Sequence, residues 1–232
     1  MKTILEGLFI VAVVLVGEYI EGGFLEAAQP SVSFFPKVIS DWDVPIFLWI
    51  NNGLANVYLG WLFSVLTRLG STGITLIACA LLYFSGRRKE GTVLFVSVAL
   101  VTLIVLALKL VVPRPRPFTA IPSTIVFGRD SGSSFPSGHT MRIFASAYIF
   151  SKFWPRFRIP FYLIASLVGF SRIYLGQHYP SDVLAGILMG LAVGYLTIHY
   201  HRTVIETFSR FIASISGRAS RISQSCSFSP AA

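Results

Sequence analysis

Charged residues are scarce in this chain of 232 residues, since Asp, Glu, Lys and Arg together make up only 12% of it. A soluble domain usually has about a quarter of its residues charged, so the composition excludes an ordinary soluble protein. Hydrophobic residues reach 54%, and the mean hydropathy is +0.70. These values predict an integral membrane protein with at most about seven spans of about 20 residues each.

Cysteine is almost absent and acidic residues are few. Cys79 lies in an apolar stretch and Cys226 in a polar tail, so we expect no structural disulfide between them, and the sequence has no Cys/His spacing typical of a zinc site. The formal net charge is +9. Because the basic residues lie at the ends of apolar runs, we attribute them to membrane orientation and anionic lipid head groups, and not to nucleic acid.

The apolar runs predict an all-α, multi-pass membrane protein with about six transmembrane helices. The predicted spans cover about 3–19, 72–84, 92–112, 136–153, 159–175 and 181–200. A cleaved signal peptide is the alternative for the first run, although Glu6 and the lack of a small-residue cleavage site count against it. Residues 1–202 are predicted to form one membrane domain, followed at 203–232 by an amphipathic helix and a disordered polar tail.

The stretch before the second span is ambiguous. Residues 21–45 are acidic and contain three prolines, which predicts a loop. Residues 46–69 are apolar but interrupted by asparagines, and they carry the aromatic residues that favour a membrane interface. We interpret 46–69 as a short interfacial helix, and the sequence leaves open whether it lies on the membrane or crosses it.

The basic residues also predict the orientation. Lys2, the cluster at 87–89 and the connector at 152–158 fall on one side with both termini, and the positive-inside rule assigns that side to the cytoplasm. Arg114 and Arg116 break this pattern, because they lie in a loop on the other side. Cations in the wrong place for topology suggest another role. We therefore expect a cell-membrane protein whose functional site faces outward.

Three short charged patterns stand in this apolar background. They are Lys109 followed after six residues by Arg116-Pro117, then Pro136-Ser137-Gly138-His139, and then Ser171-Arg172 followed by His178 and Asp182. Catalysis at a phosphate ester needs cations around the phosphate oxygens, an in-line nucleophile and an acid for the leaving oxygen. These residue types could meet all three needs.

The cations and the helix start suit the phosphate oxygens. Lys109, Arg116 and Arg172 can surround a phosphate with positive charge, and arginine can bind two oxygens at once. The backbone N–H groups at Ser137 and Gly138 open a predicted helix, which makes them a favourable anion site. Taken singly, each has a structural alternative; Lys109, for example, could extend its amine to the membrane surface from a helix end.

The histidines suit the chemical steps. His178 and Asp182 are four residues apart at a helix start, a spacing that permits the carboxylate to bond one imidazole nitrogen. The other nitrogen is then available as a nucleophile. His139, on a different helix, is free to protonate the leaving oxygen.

The three patterns together resemble the type 2 phosphatidic acid phosphatase family, which includes relatives of soluble acid phosphatases and of vanadium haloperoxidases. The resemblance covers about residues 109–190 and is complete at the motif positions. It implies a phosphohistidine intermediate on His178, with His139 as general acid and Asp182 orienting the nucleophile. It also implies that no metal ion is required, and we expect no cofactor.

We therefore expect an integral membrane lipid phosphatase that removes a terminal phosphate from a lipid phosphomonoester or diphosphate. The candidate substrates are phosphatidylglycerophosphate, phosphatidic acid and a polyprenyl diphosphate such as undecaprenyl diphosphate, and no obligatory protein partner is expected. One alternative is a non-catalytic anionic-lipid binder or transporter that retains the phosphate pocket. A haloperoxidase-like enzyme holding vanadate is a second alternative, which the six spans disfavour.

Two further arginines are less clear. Arg142 lies one turn after His139 in apolar sequence, where it could contact substrate or form a structural ion pair with Asp130 or Asp182. Arg114, two positions before the motif arginine, could touch substrate, but we predict a solvated loop charge.

Overall fold

The computed structural model describes residues 35–203, 205–207 and 210, and over these residues the fold is helical without any strand. The α-helices are α1 (Lys37–Asn51), α2 (Val57–Leu66), α3 (Thr72–Phe84), α4 (Arg88–Val111), the single turn α5 (Pro117–Ala120), α6 (Gly138–Phe153), α7 (Arg158–Tyr174) and α8 (Pro180–His199), with 3-10 turns at Thr67–Gly70 and Pro155–Phe157. The predicted first span and most of the predicted amphipathic tail lie outside the described residues.

The membrane helices agree only in part with the six predicted spans. Helices α4 and α8 are long and apolar enough to cross a bilayer, and α2 with its 3-10 turn reaches that length only together with α3, across a 53° bend. Helices α6 and α7 have 16 and 17 residues, or about 24 to 26 Å, against a hydrocarbon core of about 30 Å. The prediction of a helix at 72–84 is confirmed by α3, while the count of six crossings stays a prediction.

Helix α1 shows that the predicted loop is wrong over residues 37–45, since the chain there is helical through Pro45. The buried residues of α1 are Asp43, Phe47, Ile50 and Asn51, a helical stripe that packs against α7 and α8. Burial of this stripe outweighs the loss of one backbone hydrogen bond at the proline. The sequence did not predict this helical stripe because its first residue, Asp43, is charged and so interrupts the apolar pattern.

The asparagines in the stretch 46–69 separate and anchor two helices. The Asn56 side chain caps α2 by accepting the N–H groups of Tyr58 and Leu59, at 2.9 and 3.2 Å. Asn51 donates to the carbonyl oxygens of Ile125 and Tyr174, at 2.9 and 2.8 Å. The predicted single interfacial helix is therefore two helices, α1 and α2, joined to the core through polar side chains.

Helix α6 lies at the centre of the bundle, in contact with α3, α4, α7 and α8. Glycines let α8 approach it closely: a Cβ atom on Gly186 would lie 2.8 Å from the Ser137 carbonyl oxygen, and one on Gly190 would overlap the Met141 carbonyl oxygen. Large apolar side chains cover the outside of the helices instead, among them Leu103, Leu163 and Leu188. A small-residue helix contact inside an apolar surface is typical of membrane bundles.

The two ends of the bundle differ in chemistry. At one end, the Arg87 guanidinium lies 5.1 Å from the Trp154 ring and the Lys89 amine 5.9 Å from the Phe153 ring. Helices α4, α6, α7 and α8 run from there to the opposite end, which carries the motif residues Lys109, His139, Arg172 and Asp182 in their terminal turns. The three sequence patterns therefore converge on one end of the bundle.

We expect Gly190→Leu to destabilise the protein, because the side chain would push α8 away from the Met141 backbone. Overpacking of this kind costs about 1 to 3 kcal/mol, which a lowered unfolding midpoint in detergent would reveal. Leu188→Ala, on the exposed face of the same helix, serves as the control. An unchanged midpoint for Gly190→Leu would contradict the close helix contact.

Candidate active site

The loop between α4 and α6 connects the helix ends that carry the motif residues. The Ser134 N–H donates to the Arg114 carbonyl oxygen at 2.8 Å, and the Ser137 N–H donates to the Asp182 carbonyl oxygen at 3.2 Å. These bonds join the loop, the start of α6 and the start of α8. The site residues thus come from helix ends and from a loop that backbone hydrogen bonds fix in place.

Arg116 is buried and held by backbone carbonyl groups. Its Nε donates to Gly132 at 3.0 Å, Nη2 to Ser131 at 2.8 Å and Nη1 to Gln177 at 3.1 Å. Nη1 also lies 3.3 Å from His178 Nε2. Burial lowers the pKa of Arg116 to about 10, which leaves the guanidinium charged at neutral pH, directly beside the imidazole.

Arg172 and Arg116 converge on one carboxylate, that of Asp130. Arg172 Nη2 donates to Asp130 Oδ2, and Arg116 Nη1 lies 3.8 Å from the same oxygen. Desolvation alone would raise the pKa of Asp130, but the charges of Arg172, His139 and Arg116 outweigh it and hold the pKa well below its usual range. The two arginines therefore share an oxyanion.

The Arg172 side chain has one N–H group that is not used in these contacts. Its Nη1 donates to Thr67 Oγ1 at 3.0 Å, while its buried Nε has no hydrogen-bond partner among the residues that the structure describes. A buried unpaired donor is costly. An additional oxygen atom entering the site would satisfy it.

His178 is buried with one nitrogen toward Arg116 and the other toward Asp182. Because a guanidinium can only donate hydrogen bonds, the 3.3 Å contact with Arg116 places the lone pair on Nε2 and the proton on Nδ1. Burial lowers the pKa of His178 to about 3. The imidazole is neutral at pH 7, the state in which it can act as a nucleophile.

The expected bond between His178 and Asp182 is long. His178 Nδ1 lies 3.7 Å from Asp182 Oδ2, beyond hydrogen-bond distance, and Nδ1 has no other partner within the described part of the chain. Asp182 Oδ2 accepts instead from Ser134 Oγ at 2.5 Å and from the Tyr179 N–H at 2.9 Å. The pair is adjacent, as its spacing predicts, but the carboxylate is engaged by other donors.

His139 faces a cavity of about 470 Å³. The half-buried imidazole shares this cavity with Asp130 and Arg172, and α2 contributes Trp61 and Ser64 to its wall. The cavity therefore joins the predicted general acid to the two-arginine site. It also extends to the helix that precedes the 53° bend.

The remaining predicted phosphate ligands lie around the start of α6. Ser137 precedes the helix, and its hydroxyl group is 2.9 Å from Thr140 Oγ1. A Cβ atom on Gly138 would lie 3.3 Å from Val105, one turn before Lys109 on α4. The half-buried Lys109 is therefore at the same end of the bundle as His139.

Arg142 contacts the 3-10 turn between α2 and α3. It is buried, and its Nε donates to the Gly70 carbonyl oxygen at 3.0 Å. Its Nη2 lies 3.5 Å from the position that a Cβ atom on Gly138 would take. Arg142 thus lies directly behind the start of α6, and its contact with substrate stays a prediction.

The prediction that Arg114 is a solvated loop charge is wrong, since its side chain is 3% exposed. Nη1 donates to Asp182 Oδ1 at 2.5 Å and Nη2 to Asp43 Oδ2 at 2.6 Å. The guanidinium lies 3.7 Å from the Phe35 ring centre and 4.0 Å from that of Tyr179. A sequence signal was present, because Asp43 is a lone carboxylate in the apolar stripe of α1.

Comparison with known proteins agrees with this geometry. The model of the PAP2 superfamily matches residues 90–206, a segment that contains every motif residue from Lys109 to Asp182. The lipid A 1-phosphatase of Rhizobium johnstonii is 31% identical over 160 residues, which are 58% of this chain and 64% of that protein. The chain thus spans slightly less than two thirds of that relative.

Two further relatives match over a larger share of their length. The undecaprenyl-diphosphatase of Sulfolobus acidocaldarius is 30% identical over 165 residues, which cover 69% of this chain and 79% of the relative. The crystal structure of Aquifex aeolicus LpxE superposes with a TM-score of 0.63 at 28% identity, covering 73% of this chain and 99% of that one. With the helical bundle, the motif residues at one end of it and these matches, the chain belongs to the PAP2 superfamily.

Proposed function

We propose that this protein hydrolyses the terminal phosphate of a lipid phosphomonoester or lipid diphosphate. The observation that carries the proposal is the convergence of Arg116 and Arg172 on the Asp130 carboxylate, beside a neutral His178. A pocket that stabilises one oxyanion between two guanidinium groups suits the terminal phosphate of a substrate. The imidazole nitrogen of His178 then lies beside the position of the phosphorus atom.

The proposed reaction assigns one role to each histidine. His178 Nε2 attacks phosphorus, the bond from phosphorus to the lipid oxygen breaks, and His139 gives its proton to that oxygen. As Nε2 becomes bonded to phosphorus, the imidazole ring gains positive charge, which Asp182 stabilises from the Nδ1 side. Water then attacks the phosphohistidine, His139 takes its proton, and inorganic phosphate leaves.

The positive charge that offsets the phosphate comes from side chains in this mechanism. Among the described residues, no three His, Cys, Asp or Glu side chains come together as a metal site would require. Arg116 and Arg172, with Lys109 from α4, take the role that a cation plays in other phosphoryl transfers. The proposal therefore includes neither a metal ion nor a cofactor.

Substrate binding would displace Asp130 from the arginines. Asp130 belongs to the loop between α4 and α6, and its side chain is 37% exposed, so it can turn away from the site. A dianionic phosphate provides more negative charge and more acceptor oxygens than one carboxylate. It could also accept from the unpaired Nε of Arg172.

An apolar cavity next to the phosphate site suits the lipid chain. It measures about 240 Å³ and lies between α3, α6 and α7, with Ala78, Ile143 and Phe161 in its wall. The 3-10 turn separates it from the polar cavity, since Thr67 lines the polar side and Leu69 the apolar side. We propose that the substrate straddles this turn, with its chain in the apolar cavity.

The substrate class is a phosphorylated membrane lipid. The relatives named above are a lipid A 1-phosphatase and an undecaprenyl-diphosphatase, and we retain polyprenyl diphosphates, phosphatidylglycerophosphate and phosphatidic acid as candidates. We also retain six crossings, both termini in the cytoplasm and a site that faces outward. The support is the basic residues at 87–89 and 152–158, which lie at the end of the bundle opposite the site.

The first test concerns the nucleophile. His178→Ala should lower phosphate release by at least about 1,000-fold, measured on a panel of lipid phosphates in detergent with EDTA present. His201→Ala, at the opposite end of the bundle, should retain activity. Near-parental turnover by His178→Ala would refute the assigned role, and a loss in EDTA that magnesium restores would contradict the metal-free mechanism.

The second test concerns the displaced carboxylate. Asp130→Asn should make inorganic phosphate and vanadate better inhibitors by about tenfold, equivalent to about 1.4 kcal/mol, because the competing charge is removed. Asp41→Asn, an exposed acidic residue of α1, controls for the change in net charge. Weaker inhibition of Asp130→Asn than of the parent would mean that Asp130 orients Arg172 and does not compete with phosphate.

The third test concerns the lipid chain. Ala78→Phe should fill the apolar cavity and raise KM for long-chain lipid phosphates several-fold, while a water-soluble short-chain phosphate is hydrolysed as before. Ile77→Phe, on the exposed face of the same helix, should change neither. Equal KM values for Ala78→Phe and the parent on long-chain substrates would exclude this cavity as the chain site.

A further inference from the structure

Asp182 is held by three donors that do not include His178. Oδ1 accepts from Arg114 at 2.5 Å, and Oδ2 accepts from Ser134 Oγ and from the Tyr179 N–H. Oδ2 is also the oxygen nearest to His178 Nδ1, at 3.7 Å, so a bond to the imidazole must compete with the two hydrogen bonds that Oδ2 already accepts. The strength of Asp182 as an acceptor for that imidazole therefore depends on its other partners.

The largest of these partners, Arg114, is divided between two carboxylates. Arg114 Nη2 bonds Asp43 at 2.6 Å, and Asp43 also accepts the Ser181 N–H at 2.9 Å and the Ser181 hydroxyl group. Arg114 Nη1 returns to Ser181 Oγ at 2.8 Å. The network is closed, and Asp43 and Asp182 are fully buried in it.

A contribution to folding stability alone does not explain why this network is buried. Buried ion pairs barely repay the cost of removing charges from water, and apolar side chains of similar volume can often replace them without loss of stability. Here three buried charges meet at the motif residue Asp182, with two negative charges for one positive charge. The excess negative charge lies on the side of His178 that must stabilise positive charge.

We infer that Arg114 is a positioning residue for His178 and that it acts by orienting Asp182. Asp43, on α1, modulates this action because it binds the same guanidinium group. Arg114 binds Oδ1 and so fixes Asp182 with Oδ2 toward Nδ1. Asp43 draws part of the guanidinium charge away, which keeps Asp182 a strong enough acceptor when Nε2 bonds phosphorus. The inference rests on the proposed role of His178 as nucleophile.

The other charges around His178 define the background for this effect. Arg116 and Arg172 oppose protonation of the imidazole, and Asp182 favours it. Asp130 and His139 also lie within electrostatic range of His178. Because none of these five groups changes in the variants below, a change in the titration of His178 reports on Arg114 and Asp43.

The test is the dependence of kcat on pH for two variants that remove charges of opposite sign. Arg114→Gln removes a cation, so the imidazolium form of His178 becomes easier to form and the acidic limb of the profile should move to higher pH. Asp43→Asn removes an anion, so the limb should move to lower pH. Both should lower kcat by roughly 10- to 100-fold, the range found for outer partners of metal-bound histidines, with KM within about twofold.

Arg114→Lys is the matched variant, since it keeps the charge but cannot bond both carboxylates at once. Its kcat should fall while its acidic limb stays in place. The inference would be overturned if the acidic limbs of Arg114→Gln and Asp43→Asn moved in the same direction or did not move. A general structural defect would not depend on the sign of the charge that is removed. If Arg114→Gln does not fold, the opposite behaviours of Asp43→Asn and Arg114→Lys decide the question.

The outcome for the parent protein separates the two proposals. Absence of phosphate release by the parent on any lipid phosphate would overturn the proposed function. Turnover by the parent together with unshifted profiles in the variants would overturn only the positioning role. Unfolding midpoints in detergent, measured first, show which variants retain the fold.

Discussion

Positive charge buried at one end of an apolar bundle dominates the chemistry of this protein. Arg116 and Arg172 cannot reach water freely, so their charge must be matched by backbone carbonyl groups, by Asp130 or by a bound anion. The helices bring their ends together at this point. The loop between α4 and α6 supplies the carbonyl groups of Ser131 and Gly132, and the segment between α7 and α8 supplies that of Gln177. Because the buried guanidinium groups need a negative partner, the site favours an oxyanion. When no anion is bound, the Asp130 carboxylate takes that position.

The sequence predicts the parts of this site that depend on local spacing. Helix α3 begins and ends where its apolar run does. Gly138 and Pro180 begin α6 and α8, so His139 and Asp182 lie in the first turns of those helices. Asp182 follows His178 by one turn, as expected, and the two side chains are adjacent. These features depend on neighbours fewer than five residues away.

The features that the sequence does not predict depend on distant contacts. Arg114 and Arg116 alternate with prolines in the same short stretch, yet one bonds Asp43, 71 residues away, and the other lies beside His178, 62 residues away. Packing between parts of the chain that are distant in sequence, such as α1 against the bundle, decides which partners each arginine meets. The long distance between His178 and Asp182 has the same origin, because Arg114 and Ser134 come from another part of the chain to engage Asp182.

The depth of the site follows from the unequal lengths of two neighbouring helices. Helices α4 and α6 are level at the basic end, where Lys89 lies beside the Phe153 ring, but α4 has 24 residues and α6 has 16. Gly138 accordingly lies against Val105, six residues before the end of α4, or about 9 Å along its axis. A phosphate that reaches the start of α6 therefore lies below the end of α4 by that distance, and the last turns of α4 form a wall on that side of the site.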